Sequence, residues 1–342
     1  MHRDLIRNFF PVMISQTGRV LSCENLTKVY QDREKKALDS VTFSVPATGI
    51  FVLIGRNGSG KTTLVRILAT ELAATSGAAF IDGINVQTRP EVLREKIAIV
   101  PQEARTVPWM TPLQTVSAYL MWRGFGYGES KRRGMEALEK LGIGSYANAL
   151  NRTLSGGNRR KVLVATVMAS EADIIFLDEP TTGLDPISRR EFWDLLRKVG
   201  KERFTFLTTH YLEEAEALAD EIGILDRGKM IRIGTLDELR QSVPYNYALN
   251  IPSALTLTKP VVEKGEIVES SEGYRILTTE DEAFRISREL SKGGFKFSIN
   301  PITLDDIFFY VLSRTGGSSF GRDSGREEEE AERARRRGGS RS

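Results

Sequence analysis

The sequence predicts an α/β fold in which a parallel sheet core carries a helical insertion and is followed by a small α+β domain. Three observations carry this expectation. A five-residue apolar run, Ile50–Ile54, leads straight into a glycine-rich turn and a helical pattern. Strand-like segments DIIFLDEP, RFTFLTTH and EIGILDRGK then recur with helical stretches between them, and such alternation implies parallel strands covered by helices. After about Ser242 the order changes to strand, strand, helix, strand, helix. A chain of 342 residues has room for two or three domains with buried cores.

Taken in order, residues 1–18 read as an N-terminal extension. Arg3, Arg7, Phe9, Phe10 and Pro11 are mixed there without a long apolar stretch or a small-residue cleavage site, so no signal peptide is expected. The segments VLSCENLTKVY and VTFSV read as strands that open the α/β core, GIFVLIG as a third strand, and TTLVRILATEL as the helix after the turn. About residues 103–165 the pattern becomes amphipathic and helical, with Trp109, Tyr119, Trp122, Phe125, Tyr127 and a basic cluster at Lys131–Arg133. The core then resumes and closes near 242. Residues 243–315 read as the separate α+β domain, built from YALNI, RILTT, the amphipathic EDEAFRISRELS, KFSIN and LDDIFFYVLSR. In residues 316–342 the only large apolar residue is Phe320, too little to offset the entropy of ordering, so a disordered tail is expected.

Composition removes several function classes. The 48 Lys+Arg against 45 Asp+Glu leave a net charge of +3, which argues against a strongly cationic nucleic-acid binder. Cys23 is the single cysteine and cannot form an internal disulfide; with two histidines it leaves too few soft ligands for a structural zinc site. No apolar run is long enough to cross a bilayer, so a membrane role requires a partner chain.

The turn after Ile54 reads Gly55-Arg56-Asn57-Gly58-Ser59-Gly60-Lys61-Thr62, with Thr63 next, and it has the strand before and helix after that a phosphate-binding loop needs. Its glycines let backbone N–H groups converge on phosphate oxygens, and the helix N-terminus adds its partial positive charge. Lys61 suits the β- and γ-phosphates, and the Thr62 hydroxyl suits Mg²⁺. Phosphoryl chemistry also needs acids. Ile174–Leu177 end in Asp178-Glu179-Pro180, which puts two carboxylates at the C-terminal end of a buried strand, where such sheets bind ligands. Asp178 is the Mg²⁺ candidate and Glu179 the candidate base for water.

Leu154-Ser155-Gly156-Gly157-Asn158-Arg159-Arg160-Lys161, with Leu154 lying 24 residues before Asp178, resembles the signature sequence of ATP-binding cassette (ABC) proteins. Asn158 stands where that family usually has Gln. Further motifs follow in the family's order. Gln102 resembles the Q-loop glutamine that reaches Mg²⁺ and the attacking water. Gly183-Leu184-Asp185-Pro186 resembles the D-loop, His210 the switch histidine, and Tyr30 the aromatic that stacks on adenine. Ile302–Phe308 resemble the accessory end of cassettes serving exporters of drugs, polysaccharides or lipids.

The resemblance implies a P-loop NTPase cassette over residues 19–242 that binds ATP and Mg²⁺ and hydrolyses ATP. It implies a head-to-tail dimer with a second ATP-binding subunit, taken as a second copy, in which Ser155, Gly156, Gly157 and Asn158 face the other subunit's γ-phosphate. It further implies peripheral attachment to the cytoplasmic face of the membrane through an integral membrane permease, whose cytoplasmic helix would meet the aromatic insertion. No nucleic-acid partner is expected: Lys61 and Ser155 lie 94 residues apart, leaving no room for the long coiled coil of chromosome-maintenance cassettes, and ribosome-associated cassettes usually come two to a chain.

Overall fold

The computed structural model describes residues 19–31, 35–252, 262–270 and 273–314. The N-terminal extension and the tail expected to be disordered lie outside the described residues. The chain divides into two compact units between Met230 and Ile231.

The first unit opens with β1 (Val20–Val29) and β2 (Lys36–Pro46), followed by β3 (Ile50–Ile54), α1 (Lys61–Leu68), β4 (Ser76–Ile81), β5 (Ile84–Asn85), α2 (Pro90–Lys96) and β6 (Ile97–Val100). Next come α3 (Pro112–Trp122), α4 (Tyr127–Lys140) and α5 (Gly156–Ala169), each packed on the other two. The unit ends with β7 (Ile174–Asp178), α6 (Pro186–Glu202), β8 (Phe204–Thr209), α7 (Leu212–Leu218) and β9 (Glu221–Asp226). Strands β9-β3-β8-β7-β6 are neighbours in that order, and the β3 pairs with β8 and β9 and the β7 pairs with β6 and β8 are all parallel. Residues of β3, β7 and β8 are buried throughout, as strands covered on both faces must be. Phe51, Phe176 and Phe206 stack across this sheet and fill its core.

The first two strands do not join that core sheet. They form a separate antiparallel sheet of order β2-β1-β4-β5. The second half of β2 alternates buried and exposed residues, the mark of a strand with one wet face. Neither β4 nor β5 was anticipated, because Ser76, Gly77 and two alanines give a weak strand signal. The helix after the loop stops at Leu68 rather than Leu72. Thr70 turns left-handed there (φ 62°), and the Glu71 and Leu72 amides fold back onto the Arg66 carbonyl.

β10 (Lys229–Gly234) spans the division between the units. The second unit continues with α8 (Leu236–Gln241), β11 (Tyr247–Pro252), β12 (Gly265–Ser270), β13 (Gly273–Thr278), α9 (Glu280–Lys292), β14 (Ser298–Pro301) and α10 (Leu304–Arg314). Its four strands pair antiparallel in the order β12-β13-β11-β14. Leu249, Ile251 and Ile276 of the sheet pack against Ala283, Ile286 and Leu290, which share one face of α9. Arg275 forks onto Asp306 of α10, and that carboxylate also accepts from the Thr303 amide and hydroxyl. Strand β12 went unread in the sequence, since its two glutamates mask the short apolar pair Ile267–Val268.

Candidate functional site: a cleft at the C-terminal ends of the parallel strands

The glycine-rich loop joins β3 to α1. A Cβ on Gly60, whose φ is 108°, would lie 2.4 Å from the Ala37 carbonyl oxygen. One on Gly55 would lie 2.3 Å from the Leu225 oxygen and 2.5 Å from Ser59 Oγ. Both positions therefore require glycine, and the loop can curl back over the helix N-terminus. Lys61 is 5% exposed. Its ammonium donates to the Gly55 oxygen (2.9 Å) and the Arg56 oxygen (3.3 Å) and lies 3.5 Å from Glu179 Oε1. Burial holds its pKa below the usual lysine range, against the pull of Glu179 and Asp178. The Ser59 hydroxyl is buried with no hydrogen-bond partner among the described residues, a need that a phosphate oxygen would meet.

Asp178 ends β7 and is 1% exposed. Thr208 Oγ1 donates to its Oδ1 at 2.5 Å, and the nearby Thr62 hydroxyl also favours the ionised form of that carboxyl group. Burial raises its pKa more than these bonds lower it. Glu179 follows with a left-handed φ of 46°, a conformation that costs a non-glycine residue about 1–3 kcal/mol. Its amide is held by the Thr208 carbonyl (3.1 Å) and hydroxyl (3.0 Å). The strained turn gathers partners on one carboxylate: Gln102 Nε2 donates to Oε2 (3.1 Å), as does Thr182 Oγ1 (3.2 Å). His210 Nδ1 lies 3.1 Å from the same oxygen, with the ring turned out of hydrogen-bond alignment. Burial pushes Glu179 up, but the His210 imidazole and the Lys61 ammonium outweigh it and hold the carboxyl below its usual range, so it is ionised at neutral pH.

The loop from Asn57 to Thr63, Gln102 and Glu179 line a cleft of about 1160 Å³ whose wall also includes Tyr30, while Asp178, Thr208 and His210 lie outside that wall. Tyr30 sits half-buried at its side, with its hydroxyl 3.3 Å from Thr63 Oγ1. Ser155, Gly156, Gly157 and Asn158 are not part of that wall. Ser155 instead caps α5, accepting from the Asn158 amide (3.2 Å), and the exposed Gly156 and half-buried Gly157 open its first turn. Asp185 similarly caps α6 through the Ile187 and Ser188 amides.

Hydroxyl, carboxylate and side-chain amide oxygens at Thr62, Asp178 and Gln102 are the hard donors that suit Mg²⁺, which is usually held by one or two protein groups together with substrate phosphates. Sequence reasoning missed several residues of the site. Thr208, Thr182, Glu214 and Arg160 all bond to the segment that carries the two acids or to its side chains. Thr208 left a trace as a polar residue near the end of the apolar strand FTFLTT, and Arg160 stood in the signature sequence with no role of its own assigned.

The family model for ABC transporters matches residues 38–182. The daunorubicin/doxorubicin resistance ATP-binding protein DrrA of Streptomyces peucetius is 36% identical over 235 residues, covering 68% of this chain and 71% of DrrA. The chain belongs to the ABC transporter family. It is an ABC ATP-binding subunit and an ATPase, with the mixed α/β cassette fold of a P-loop NTPase. The doxorubicin resistance ATP-binding protein DrrA of Mycobacterium tuberculosis is 34% identical over 256 residues, 74% of this chain and 77% of that protein. ATP-binding cassette sub-family A member 7 of Rattus norvegicus is 30% identical over 91% of this chain, which spans only 15% of that much longer protein. The solved dimeric cassette MJ0796, in a post-hydrolysis state bound to ADP and Pi, superimposes with a TM-score of 0.58 at 27% identity, over 63% of this chain and 98% of its own. ABC ATP-binding subunits dimerise and work with membrane permeases; among the described residues no helix is long and apolar enough to cross a membrane.

Proposed function

We propose that this ABC subunit hydrolyses ATP with Glu179 as the general base and couples that hydrolysis to export through a separate integral membrane permease. The observation that carries the assignment is the convergence of Lys61, Gln102, Thr182 and His210 on the Glu179 carboxylate at the mouth of the glycine loop. Gly55 to Thr63 would hold the phosphates, Tyr30 the adenine, and Thr62, Asp178 and Gln102 the Mg²⁺. Mg²⁺ held by these residues would neutralise phosphate charge. Glu179, ionised and aligned by Gln102, orients and deprotonates water; His210 moves with the γ-phosphate it contacts. Residues 19–242 act as the cassette and 243–315 as an accessory domain.

The signature residues Ser155 to Asn158 lie off the cleft of their own chain, which supports a head-to-tail homodimer in which they complete the partner's site. The resistance function named for the DrrA relatives supports an outward direction and a place on the cytoplasmic face of the membrane. Mixing two inactive variants tests the shared site. Lys61→Ala and Ser155→Arg, each in a Glu179→Gln background, fail alone but gather both lesions in one site of a mixed dimer, leaving the other intact. Partial recovery of ATP-trapped dimer is expected. No mixed dimer, while Glu179→Gln subunits dimerise readily, would mean that each site is complete within one chain.

A further inference from the structure

Arg160 lies on α5, five residues after the signature serine, and is 8% exposed. Its guanidinium donates to three successive carbonyls: Nη2 to the Asp178 oxygen (3.3 Å) and the Glu179 oxygen (3.0 Å), and Nε to the Pro180 oxygen (2.6 Å). Burial first, and Arg105 second, lower its pKa to about 10, so it remains charged at neutral pH. A buried cation is a costly way to brace a turn, because apolar packing of similar volume is often as stable. The carbonyls it binds belong to a segment where backbone strain and the candidate chemistry coincide. Glu179 is held left-handed, and a flip of its peptide would relax that backbone and swing its carboxylate away from Lys61, Gln102 and His210.

The same segment is tied from other sides as well. Thr208 holds the Glu179 amide, and the Thr181 hydroxyl donates to the fully buried Glu214 of α7, which also accepts from Trp193. Those ties come from the sheet and from the helix after His210. Arg160 alone comes from the helix that the signature loop caps, and five residues of α-helix separate Ser155 from it by only about 7.5 Å of rigid rise. We propose that Arg160 is a positioning residue that holds the Asp178–Pro180 carbonyls so that Glu179 stays aimed, linking the signature helix to the hydrolytic carboxylate of the same chain. This rests on the reading of Glu179 as the base.

The test uses full-length Arg160→Met, which keeps the length of the side chain and removes its donors, together with Arg160→Lys and Arg160→Ala. Expected results are a kcat at least 30-fold lower in Arg160→Met with KM for MgATP within threefold of wild type, an intermediate kcat in Arg160→Lys, and partial recovery of Arg160→Ala on adding methylguanidine. In the Glu179→Gln background Arg160→Met should still form the ATP-trapped dimer, since binding is intact. The proposal is overturned by a kcat within threefold of wild type in Arg160→Met. It is equally overturned if kcat and melting temperature fall while KM rises, without rescue by Arg160→Lys or methylguanidine, which marks a brace of the fold alone. Should Arg160→Met not fold, the kcat-to-KM split of Arg160→Lys decides. A failure of the base reading shows separately, as wild-type turnover in Glu179→Gln.

Discussion

Replacing Thr208 by valine removes one oxygen and leaves the shape of a wholly buried side chain. That oxygen donates to Asp178 Oδ1 and accepts from the Glu179 amide, which keeps its second acceptor, the Thr208 carbonyl. A hydrogen bond to a charged group is worth about 1.5–3 kcal/mol and a shared neutral one about 0.5–1, so the variant should lose about 3 kcal/mol. For a unit of this size that corresponds to a fall in melting temperature of roughly 6–12 °C. Activity should respond with a definite sign. The Thr208 bond works to lower the Asp178 pKa, which burial has raised; its loss raises that pKa further. The acid limb of kcat/KM, which reports groups of the free enzyme, should therefore move to higher pH in Thr208→Val. Thermal unfolding and ATPase profiles between pH 4 and 8 would measure both effects. A melting temperature within 1 °C of wild type together with an unmoved acid limb would refute the role given to Thr208.

Lys61→Ala should raise KM for MgATP at least tenfold and nearly abolish turnover, because a cation facing the phosphates in a partly desolvated site is lost; steady-state ATPase kinetics check this. Gly200→Val on α6 should destabilise by about 2 kcal/mol or more through overpacking, since even a Cβ at that position would lie 2.2 Å from Ile50 Cγ1; chemical denaturation of the full chain measures it. Asp306→Ala strips the buried partner from the Arg275 fork, and with that guanidinium a third exposed the loss should be about 2 kcal/mol, read by thermal unfolding with catalytic rates as the control.

The parallel core was legible because strands buried on both faces read as short, mostly apolar runs, and Ile50–Ile54, Ile174–Leu177 and Phe204–Leu207 are such runs, each followed by candidate site residues. The antiparallel sheet was legible only in half. β1 and β2 could be seen as strands, but their separation from the core sheet depends on pairing with β4, whose small residues carry little strand signal of their own. In the second unit β12 escaped for a related reason: an edge strand needs only one apolar side, and Glu266 occupies the other.

The candidate site shows the same division at the level of single side chains. Lys61, Thr62, Asp178, Glu179, Gln102 and His210 announce themselves because each sits in a local pattern set by what a phosphate or a metal demands of nearby backbone. Arg160, Thr208 and Glu214 do not, because their task is to hold another segment, and the segment they hold is 18 to 33 residues away in sequence. Arg160 in particular is one of three consecutive basic residues, of which Arg159 is exposed and Lys161 reaches the surface carboxylate of Glu191. Only the rotation of α5 selects the middle one for burial beneath the Asp178–Pro180 turn. A motif thus specifies the groups proposed to touch the nucleotide, whereas the strained φ of Glu179 persists through contacts that only the folded chain assembles. Substitutions at those supporting positions should accordingly lower kcat while sparing nucleotide binding, the reverse of what changes within Gly55–Thr63 should do.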